Sequence, residues 1–291
     1  MRRGEIVSPR HKKIMGVLQP MSKTILLLLD ACRFDAITAN GGFLEQMIEN
    51  RLGAKYRVEG ELPSMSRPMY ETIMTGLTSP EHGIVNNQVV RRSRCPNVFS
   101  LCKQQGLVTA AAAYHWYSEL HGVSPFTHSS RYQLDGQGDI MYGIYYYEDP
   151  YPDSHLFMDG EYLRKTYNPD FLLMHSMNID LQGHLWGGDS KQYLAAVQFA
   201  AEYLSPLVVD WVAQGYQVVV TADHGMNSFG MHGGPTPEQR TVPLYLFGTS
   251  CRPGDFTDHA ISQLNIAPLL CRLLGVSPAP GMRRELQIEF A

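Results

Sequence analysis

Aspartate and histidine residues follow several short apolar runs of this sequence, where their side chains can converge on one ligand. The run 25–29 leads directly into an aspartate, and similar residues follow the runs 171–175 and 217–221. Taken singly, each is more typical of a turn, a helix cap or a structural histidine. Carboxylates combined with imidazoles are the donor set that suits Zn²⁺, whereas Mg²⁺ and Ca²⁺ prefer oxygen alone. Their joint occurrence predicts metal-assisted chemistry, with the candidate ligands Asp30, Asp180, His184, Asp223, His224 and His232.

The spacing of these residues favours two metal ions. Asp180 and His184 are four residues apart, so a helical turn places them on one face. Asp223 and His224 would diverge in a straight strand, and we expect Gly225 to let the chain bend so that both point inward. Two ions about 4 Å apart clamp the attacking and leaving oxygens of a displacement at phosphorus. We therefore expect two divalent cations, with Zn²⁺ favoured by ligand type and Mn²⁺ as the alternative.

Two serines lie where such chemistry needs a nucleophile. Ser64 and Ser66 stand in the segment 62–68, just before the helix-like run 69–75. The first turn of a helix offers free backbone amides and a positive dipole end, which favour a bound phosphate and an alkoxide. A serine at this position is most often only a helix cap, but metal coordination lowers the pKa of its hydroxyl and activates it.

Apolar runs alternate with helical patterns, which predicts an α/β fold with a doubly wound, mostly parallel sheet and helices on both faces. Ligands of such sheets bind outside the carboxyl ends of the strands, which is where the candidate ligands stand. We expect a long helix over 189–214, kinked or split at Pro206, and a shorter one from Asn265 to Gly275. Pro243 suits an edge strand. The predicted strands are 25–29, 107–113, 171–175, 217–221 and 242–247.

The chain is expected to form one catalytic domain, 1–291, with a small inserted cap at about 115–165. Within that interval, 125–152 is rich in tyrosine and has weak periodicity. Its rings either fill a secondary core under a long loop or flank a substrate above the active site. The sequence supports both interpretations equally.

Composition and charge exclude several functions. The chain has 291 residues, of which 44% are hydrophobic, and a net charge of −4, so no positive field favours a nucleic acid polymer or an anionic membrane. Neither a nucleic acid polymer nor a membrane is expected as a partner. No apolar run approaches the ~20 residues that span a bilayer. Five cysteines without a CxxC pair predict free thiols and a cytoplasmic location. The first thirteen residues are basic and predict a solvated tail.

Five blocks occur in series between residues 26 and 235: LLLLDACR (26–33), PSMSRP (63–68) with MTGL (74–77), PEHGIVNN (80–87), TADHGM (221–226) and MHGGP (231–235). Together they resemble the alkaline phosphatase superfamily, and within it the type I phosphodiesterase/nucleotide pyrophosphatase branch. The last block is similar to a loop of the ethanolamine-phosphate transferases of glycolipid anchor synthesis.

The resemblance implies a metal-dependent phosphoric ester hydrolase with an alkaline phosphatase-like fold. The ligands that it implies are Asp30, Ser66, Asp223 and His224 for one ion, and Asp180, His184 and His232 for the other. It selects Ser66 as the nucleophile, because Ser66 lies nine residues before Thr75 as in the family, and it implies a phosphoseryl intermediate. Asn87 matches the asparagine that hydrogen-bonds a phosphate oxygen, with Asn86 as the fallback.

Departures from the family leave the substrate open. The nucleophile is Ser where nucleotide pyrophosphatases usually have Thr, and Met69 and Tyr70 stand where many members have Asn and His. We expect cleavage of a small phosphodiester or pyrophosphate, with nucleotides among the candidates. The alternatives are a phosphomonoesterase, a phosphonate hydrolase, a phosphoryl transferase, or an inactive relative that binds a phospho-ligand. The residues expected to contact substrate are Asn87, His115, Trp116, Tyr117 and Arg67.

The remaining histidines are assigned no metal. His259 follows Asp258 and forms a second Asp-His pair, but it lacks a preceding apolar run, so His232 is preferred as the third ligand. A cluster of arginines either binds a second phosphate or is solvated; its members are Arg91, Arg92 and Arg94. The histidines expected to be structural are His121, His128, His155 and His175.

Overall fold

The computed structural model describes residues 22–291, so the basic tail predicted at 1–13 lies outside the described residues. Within 22–291 the strands are β1 (Thr24–Leu29), β2 (Gly53–Glu59), β3 (Thr109–Tyr114), β4 (Tyr132–Gln133), β5 (Tyr142–Tyr146), β6 (Phe171–Ser176), β7 (Gln217–Thr221), β8 (Thr241–Phe247) and β9 (Gly254–Ser262). They form one sheet in the order β4-β5-β3-β6-β1-β7-β8-β2-β9. The run from β5 to β7 is parallel throughout.

Helices cover both faces of this sheet. They are α1 (Phe34–Asn40), α2 (Phe43–Glu49), α3 (Ser66–Thr75), α4 (Ser79–His82), α5 (Val98–Gln104), α6 (His115–His121), α7 (Asp153–Tyr167), α8 (Asn178–Trp186), α9 (Lys191–Ala213), α10 (Pro237–Arg240) and α11 (Ile266–Leu274). On one face α9 packs with α1, α2 and α8, and on the other α11 packs with α3 and α5. The prediction of a doubly wound α/β fold is therefore confirmed. Within 22–291, no helix combines the length and apolar character needed to cross a membrane.

The central strands are apolar because both of their faces are covered. Every residue of β1, β6 and β7 is buried, and burial of such side chains is the main driving force for assembling the sheet. Each of the five predicted strands coincides with an observed strand to within two residues at either end. The sheet positions the carboxyl ends of β6, β1 and β7 side by side at its centre.

The sequence patterns did not predict four of the strands, and they placed Pro243 in an edge strand where the structure has an internal one. The missed strands are β2, β4, β5 and β9. Pro243 was expected in an edge strand, but β8 is paired on both sides, antiparallel to β7 and to β2. The proline is tolerated because the pairing of β7 with β8 stops at Leu244. The carbonyl of Pro243 instead accepts a hydrogen bond from Thr221 Oγ1 at 2.7 Å.

The helix predictions are accurate at the ends and less so at Pro206. α9 is not split but continues through Pro206 to Ala213. α11 ends at Gly275, which has the left-handed conformation expected of a C-cap, with φ of 69°. Asn265 precedes α11 as predicted, yet its side chain does not cap the helix; its amide donates to the carbonyl of Ser262 at 3.0 Å.

The interval 115–165 is more closely integrated with the sheet than a separate cap. It contributes β5, which pairs with β3, and α7, which packs against β3 and β6. Tyr145 and Tyr146 on β5 are buried in the core, as the first of the two interpretations requires for that part of the stretch. The domain division itself stays a prediction. All five cysteines are free thiols in the structure.

Candidate metal centre

Three adjacent strand ends carry the acidic candidate ligands. Asp30 directly follows β1, Asp180 lies on α8 just beyond β6, and Asp223 lies two residues beyond β7. Because β6, β1 and β7 are parallel neighbours, their carboxyl ends meet at one edge of the sheet. The structure thus brings together residues that are up to 193 positions apart in the sequence.

The first group of ligands is fully buried and consists of Asp30, Asp223 and His224. His224 Nε2 lies 3.4 Å from Asp30 Oδ1 and 3.3 Å from Asp223 Oδ2. One donor atom from each residue lies within 4.8 Å of the other two. Asp223 and His224 both point inward because they lie beyond the end of β7, where the alternation of a strand no longer applies.

The second group is more accessible and consists of Asp180, His184 and His232. His184 Nε2 lies 3.4 Å from Asp180 Oδ2, and His232 Nε2 lies 3.9 Å from Asp180 Oδ1. The predicted i, i+4 relation of Asp180 and His184 occurs on α8. The rings of His224 and His232 stack with centroids 3.9 Å apart, which joins the two groups into one centre.

Backbone carbonyls orient all three histidines in the same way. The Nδ1 atoms of His184, His224 and His232 lie 2.8, 3.0 and 3.0 Å from the carbonyl oxygens of Gly230, Gly225 and Ser64. A carbonyl oxygen only accepts, so each Nδ1 carries a hydrogen, and in the neutral ring each Nε2 then keeps its lone pair. This is the tautomer of a histidine that binds a metal through Nε2.

The contacts among these atoms fit a cation in each group. His184 Nε2 and His232 Nε2 face each other at 3.2 Å although both carry a lone pair. One buried oxygen each of Asp30, Asp180 and Asp223 has no hydrogen-bond partner within 22–291. Acceptors that converge without a donor are unfavourable, and a divalent cation between them removes that cost.

The electrostatics of the acidic residues lead to the same conclusion. Burial, followed by the negative charge of Asp30, raises the pKa values of Asp180 and Asp223 well above the ordinary range. Burial also raises the pKa of Asp30, but a hydrogen bond from His175 and the nearby His224 outweigh it and lower that pKa to about 2. Among residues 22–291, none of the three aspartates pairs with Lys or Arg. The centre therefore has an excess of acceptors and lacks positive charge.

Two residues behind Asp30 support it and were not predicted to do so. Tyr70 donates its hydroxyl hydrogen to Asp30 Oδ2, and His175 Nε2 lies 3.1 Å from the same oxygen. Burial and the charge of Asp30 raise the pKa of Tyr70, so its hydroxyl keeps the proton that it donates. His175 was expected to be structural, but it contacts a candidate ligand directly. Its place at the carboxyl end of β6 was the available signal.

Two glycines permit the loop contacts of this centre. Gly230 has φ of 72°, and a Cβ there would lie 2.8 Å from the carbonyl oxygen of Gly183. This close approach allows the Gly230 carbonyl to reach His184. Gly225 was expected to provide a bend, but its φ is not in the left-handed region. It is required because a Cβ would collide with the carbonyl of Glu238.

The predicted nucleophile opens α3 and points at the first group. Ser66 Oγ lies 3.2 Å from His224 Nε2, in a buried position. Asn87 is fixed beside it, because its Oδ1 accepts from the backbone N–H of Arg67 at 3.1 Å, which leaves the Nδ2 hydrogens directed elsewhere. Ser64 and Asn86 make other contacts: Ser64 Oγ donates to the carbonyl of Gly234 at 2.8 Å, and Asn86 Oδ1 accepts from the N–H of Gln88 at 2.9 Å.

The residues predicted to contact substrate differ in accessibility. Arg67 is buried, pairs with Glu119 at 2.7 Å and lies under the ring of Trp116, 4.5 Å from its centroid. Trp116 and His115 are partly exposed, and burial lowers the pKa of His115 to about 4. Tyr117 is fully buried, and its ring stacks on that of Tyr70 with centroids 4.7 Å apart; its expected contact with substrate stays a prediction.

The remaining polar clusters lie outside the centre. His259 is exposed on the edge strand β9, and it belongs to neither of the ligand groups found within 22–291. Arg91 donates to the carbonyls of Arg92 and His82, and Arg92 pairs weakly with Asp139 at 3.8 Å. Arg91 and Arg92 therefore contact their own loop and Asp139, and the choice between phosphate binding and solvation stays a prediction.

Fold and site together define an α/β enzyme of the class that acts on phosphoric esters. The family described as type I phosphodiesterase / nucleotide pyrophosphatase matches residues 24–234. The chain belongs to this family, a branch of the alkaline phosphatase superfamily, and the resemblance noted from the sequence blocks is confirmed. Members of the family are typically metal-dependent, in agreement with the two candidate metal-binding groups.

The curated relatives are transferases much longer than this chain. The human GPI ethanolamine phosphate transferase 2, catalytic subunit, is 23% identical over 274 residues, covering 89% of this chain and 27% of the relative. GPI ethanolamine phosphate transferase 2 of Candida albicans is 23% identical over 284 residues, covering 87% and 30%. The chain therefore spans less than a third of the length of either relative.

Solved structures show the same fold. Murine ectonucleotide pyrophosphatase / phosphodiesterase 5 superposes with a TM-score of 0.71 at 14% identity, covering 89% of this chain and 96% of that one. An inactive variant of that murine protein has been solved in complex with AMP. Phosphonate monoester hydrolase from Silicibacter pomeroyi superposes with a TM-score of 0.60 at 13% identity, covering 88% and 74%. At these identities the likeness is one of fold.

Proposed function

We propose that this chain is a two-metal phosphodiesterase that cleaves small phosphodiesters or pyrophosphates through a phosphoseryl intermediate on Ser66. The observation that carries the proposal is the convergence of unprotonated Nε2 atoms and unpartnered carboxylate oxygens beside the Ser66 hydroxyl. That arrangement matches the requirements of displacement at phosphorus, which needs a nucleophile and concentrated positive charge at one place.

The two ligand groups have distinct roles in this proposal. Asp30, Asp223 and His224 would hold the cation next to Ser66. The second group, which consists of Asp180, His184 and His232, would hold the second cation. When bound, the cations withdraw charge from the phosphoryl oxygens and lower the pKa of the serine hydroxyl. The mixed nitrogen and oxygen donors favour Zn²⁺, with Mn²⁺ as the alternative.

The proposed reaction has two displacements at phosphorus. The Ser66 Oγ–P bond forms as the bond from phosphorus to the leaving oxygen breaks; the serine proton passes to solvent and the leaving group takes a proton from solvent. Water then attacks phosphorus, the Oγ–P bond breaks, and Ser66 regains a proton. Asn87 donates an Nδ2 hydrogen to a non-bridging oxygen during both steps.

A phosphoryl transferase is the second candidate, and the names of the curated relatives favour it. They are named as ethanolamine phosphate transferases. Transfer to an alcohol differs from hydrolysis in that the alcohol replaces water in the second step. The same ligands and the same Ser66 serve both outcomes, so the acceptor that reaches phosphorus in the second step distinguishes them.

The test is turnover by the metal-loaded chain. Protein reconstituted with Zn²⁺ or Mn²⁺ is assayed on bis(p-nitrophenyl) phosphate and on p-nitrophenyl phosphate, with and without added ethanolamine. We expect a higher kcat/KM for the diester, no turnover by Ser66→Ala, and free phosphoester as the product. Preference for the monoester would favour a phosphomonoesterase, and an ethanolamine phosphoester product would favour the transferase. Absence of turnover on every ester, despite two bound ions, would overturn the proposal.

A further inference from the structure

Four large apolar side chains are unusually exposed near the metal centre. Among residues 22–291, the five most exposed large apolar side chains are Phe229 (88%), Leu185 (60%), Met231 (59%), Tyr132 (59%) and Trp186 (58%). All except Tyr132 lie on two short segments, 184–188 and 227–231. We call Leu185, Trp186, Phe229 and Met231 the apolar shelf. Single exposed apolar residues are ordinary, but a local concentration of this kind marks an interaction surface.

The shelf borders the second ligand group. Its two segments contact each other through the hydrogen bond from Gly188 N–H to the Asn227 carbonyl at 2.9 Å and through the contact of His184 Nδ1 with Gly230. Leu185 directly follows His184, and Met231 directly precedes His232. Whatever rests on the shelf therefore lies beside the second ligand group.

Shape and charge restrict the occupant. Exposures between 58% and 88% describe side chains that project into solvent and do not line a pocket for one molecule. Of the residues Asp, Glu, Lys and Arg, the segments 184–190 and 227–231 contain only Asp189. Its carboxylate forms an ion pair with Arg33 at 2.7 Å. The four shelf side chains are themselves uncharged, and they offer a charged partner no ion-pairing group.

A second copy of the chain is a poor match for this surface. Four such side chains offer on the order of 500 Å², whereas a stable protein interface buries about 800 Å² on each partner. A lipid interface needs no such area, because a few Trp, Phe, Leu and Met side chains suffice to anchor a loop at the boundary between headgroups and acyl chains.

We propose that the apolar shelf inserts into the surface of a zwitterionic phospholipid layer and presents a lipid-held phosphoester to the second ligand group. This inference rests on the proposed function and adds the physical source of its substrate. Because the shelf is neutral, binding should not depend on anionic lipid and should persist at high salt.

Vesicle flotation with the full chain tests the shelf directly. The probe is phosphatidylcholine vesicles at high salt, so that the basic first residues make no electrostatic contribution. We expect the wild type to float with the vesicles and the double variant Trp186→Ser/Phe229→Ser to partition at least about tenfold less. The control is Leu52→Ser: Leu52 is 57% exposed but precedes β2 at the opposite end of the sheet, and its loss should leave partitioning unchanged. Equal thermal unfolding of the three proteins verifies folding.

Activity measurements separate this inference from the proposed function. The double variant should hydrolyse a water-soluble aryl diester at the wild-type rate, and it should lose about tenfold on a long-chain alkyl aryl diester held in the same vesicles. Failure of the wild type to float, or flotation of the double variant at the wild-type level, overturns the inference. A wild-type dimer in gel filtration that the double variant abolishes would assign the shelf to self-association and also overturn it. Absence of soluble-diester turnover affects only the proposed function.

Discussion

Tyr70 provides the sharpest test of how the first ligand group is held. The substitution Tyr70→Phe keeps the buried ring and removes only the hydroxyl that donates to Asp30 Oδ2. That oxygen then retains one donor, His175, at 3.1 Å. A hydrogen bond to an ionised group contributes about 1.5–3 kcal/mol, and loss of such a supporting contact weakens metal binding by about 10–100-fold. We expect a fall of this size in the affinity of the first group.

Tyr117→Phe is the matched control. Tyr117 is equally buried and stacks on Tyr70, but its hydroxyl has no hydrogen-bond partner within 22–291. Removing it deletes an unsatisfied polar atom, so cation affinity should remain within about twofold of the wild type.

Competition with a chromophoric chelator measures the affinities of both ligand groups, and kcat/KM on an aryl diester is followed in parallel. Binding of both cations by Tyr70→Phe as tightly as by the wild type would show that the Tyr70 hydroxyl does not support Asp30. An equal loss of affinity in Tyr117→Phe would contradict this role as well, because the effect would then arise from ring packing.

Three further predictions concern the nucleophile, the buried carboxyl group of Glu71 on α3, and the glycine whose carbonyl contacts His184. Ser66→Ala should abolish turnover yet retain two ions per chain, measured by elemental analysis. Burial raises the pKa of Glu71 from 4.5 to about 7. The contribution of the protonated Glu71 side chain to the free energy of unfolding is therefore fully present below about pH 4.5, and it is lost as the pH rises through about 7. Between about pH 5 and 8, the free energy of unfolding of the Glu71→Gln protein should therefore fall by up to about 3 kcal/mol less than that of the wild type, as measured by unfolding at both pH values. Gly230→Ala should destabilise the protein by about 1–2 kcal/mol and weaken the second group, measured by calorimetry.

Each of these predictions has an outcome that contradicts it. Near-normal turnover by Ser66→Ala would assign the attack to another group. An unchanged pH dependence in Glu71→Gln would mean that Glu71 is ionised in the folded protein at all these pH values. Gly215 has a similar φ of 88° but open space at its Cβ position, so Gly215→Ala is the control for Gly230→Ala. If Gly215→Ala lost as much cation affinity as Gly230→Ala, the close contact of Gly230 with Gly183 would not be the cause of the loss.

The central sheet and the ligand positions were predictable because they depend on short sequence patterns. A continuous apolar run predicts a doubly covered strand, and β1, β6 and β7 have such runs. Asp30, Asp180 and Asp223 follow these runs closely, so the geometry of parallel strands alone predicts that they meet. Edge strand β9 consists mostly of exposed and partly buried residues and has no apolar run, and it was missed for that reason.

Contacts that depend on tertiary register could not be predicted in this way. The pairing of His175 with Leu28 places the histidine beside Asp30, and no local pattern specifies that register. Tyr70 reaches the same carboxylate from α3, a different layer of the fold. No local pattern in the sequence predicts the exposure of Trp186 and Phe229 either, because large apolar residues are more often buried.

The uniform hydrogen bonding of His184, His224 and His232 affects how fast ions enter and leave. Since each ring already has the orientation and the Nδ1 hydrogen of a ligand, binding of a cation would require no ring flip and no exchange of tautomers. Loss of hydration water from the ion would then limit the rate, so Mg²⁺, which dehydrates reluctantly, should enter more slowly than Zn²⁺ or Mn²⁺. Discrimination between metals would thus begin as a difference in rate, before differences in affinity are established.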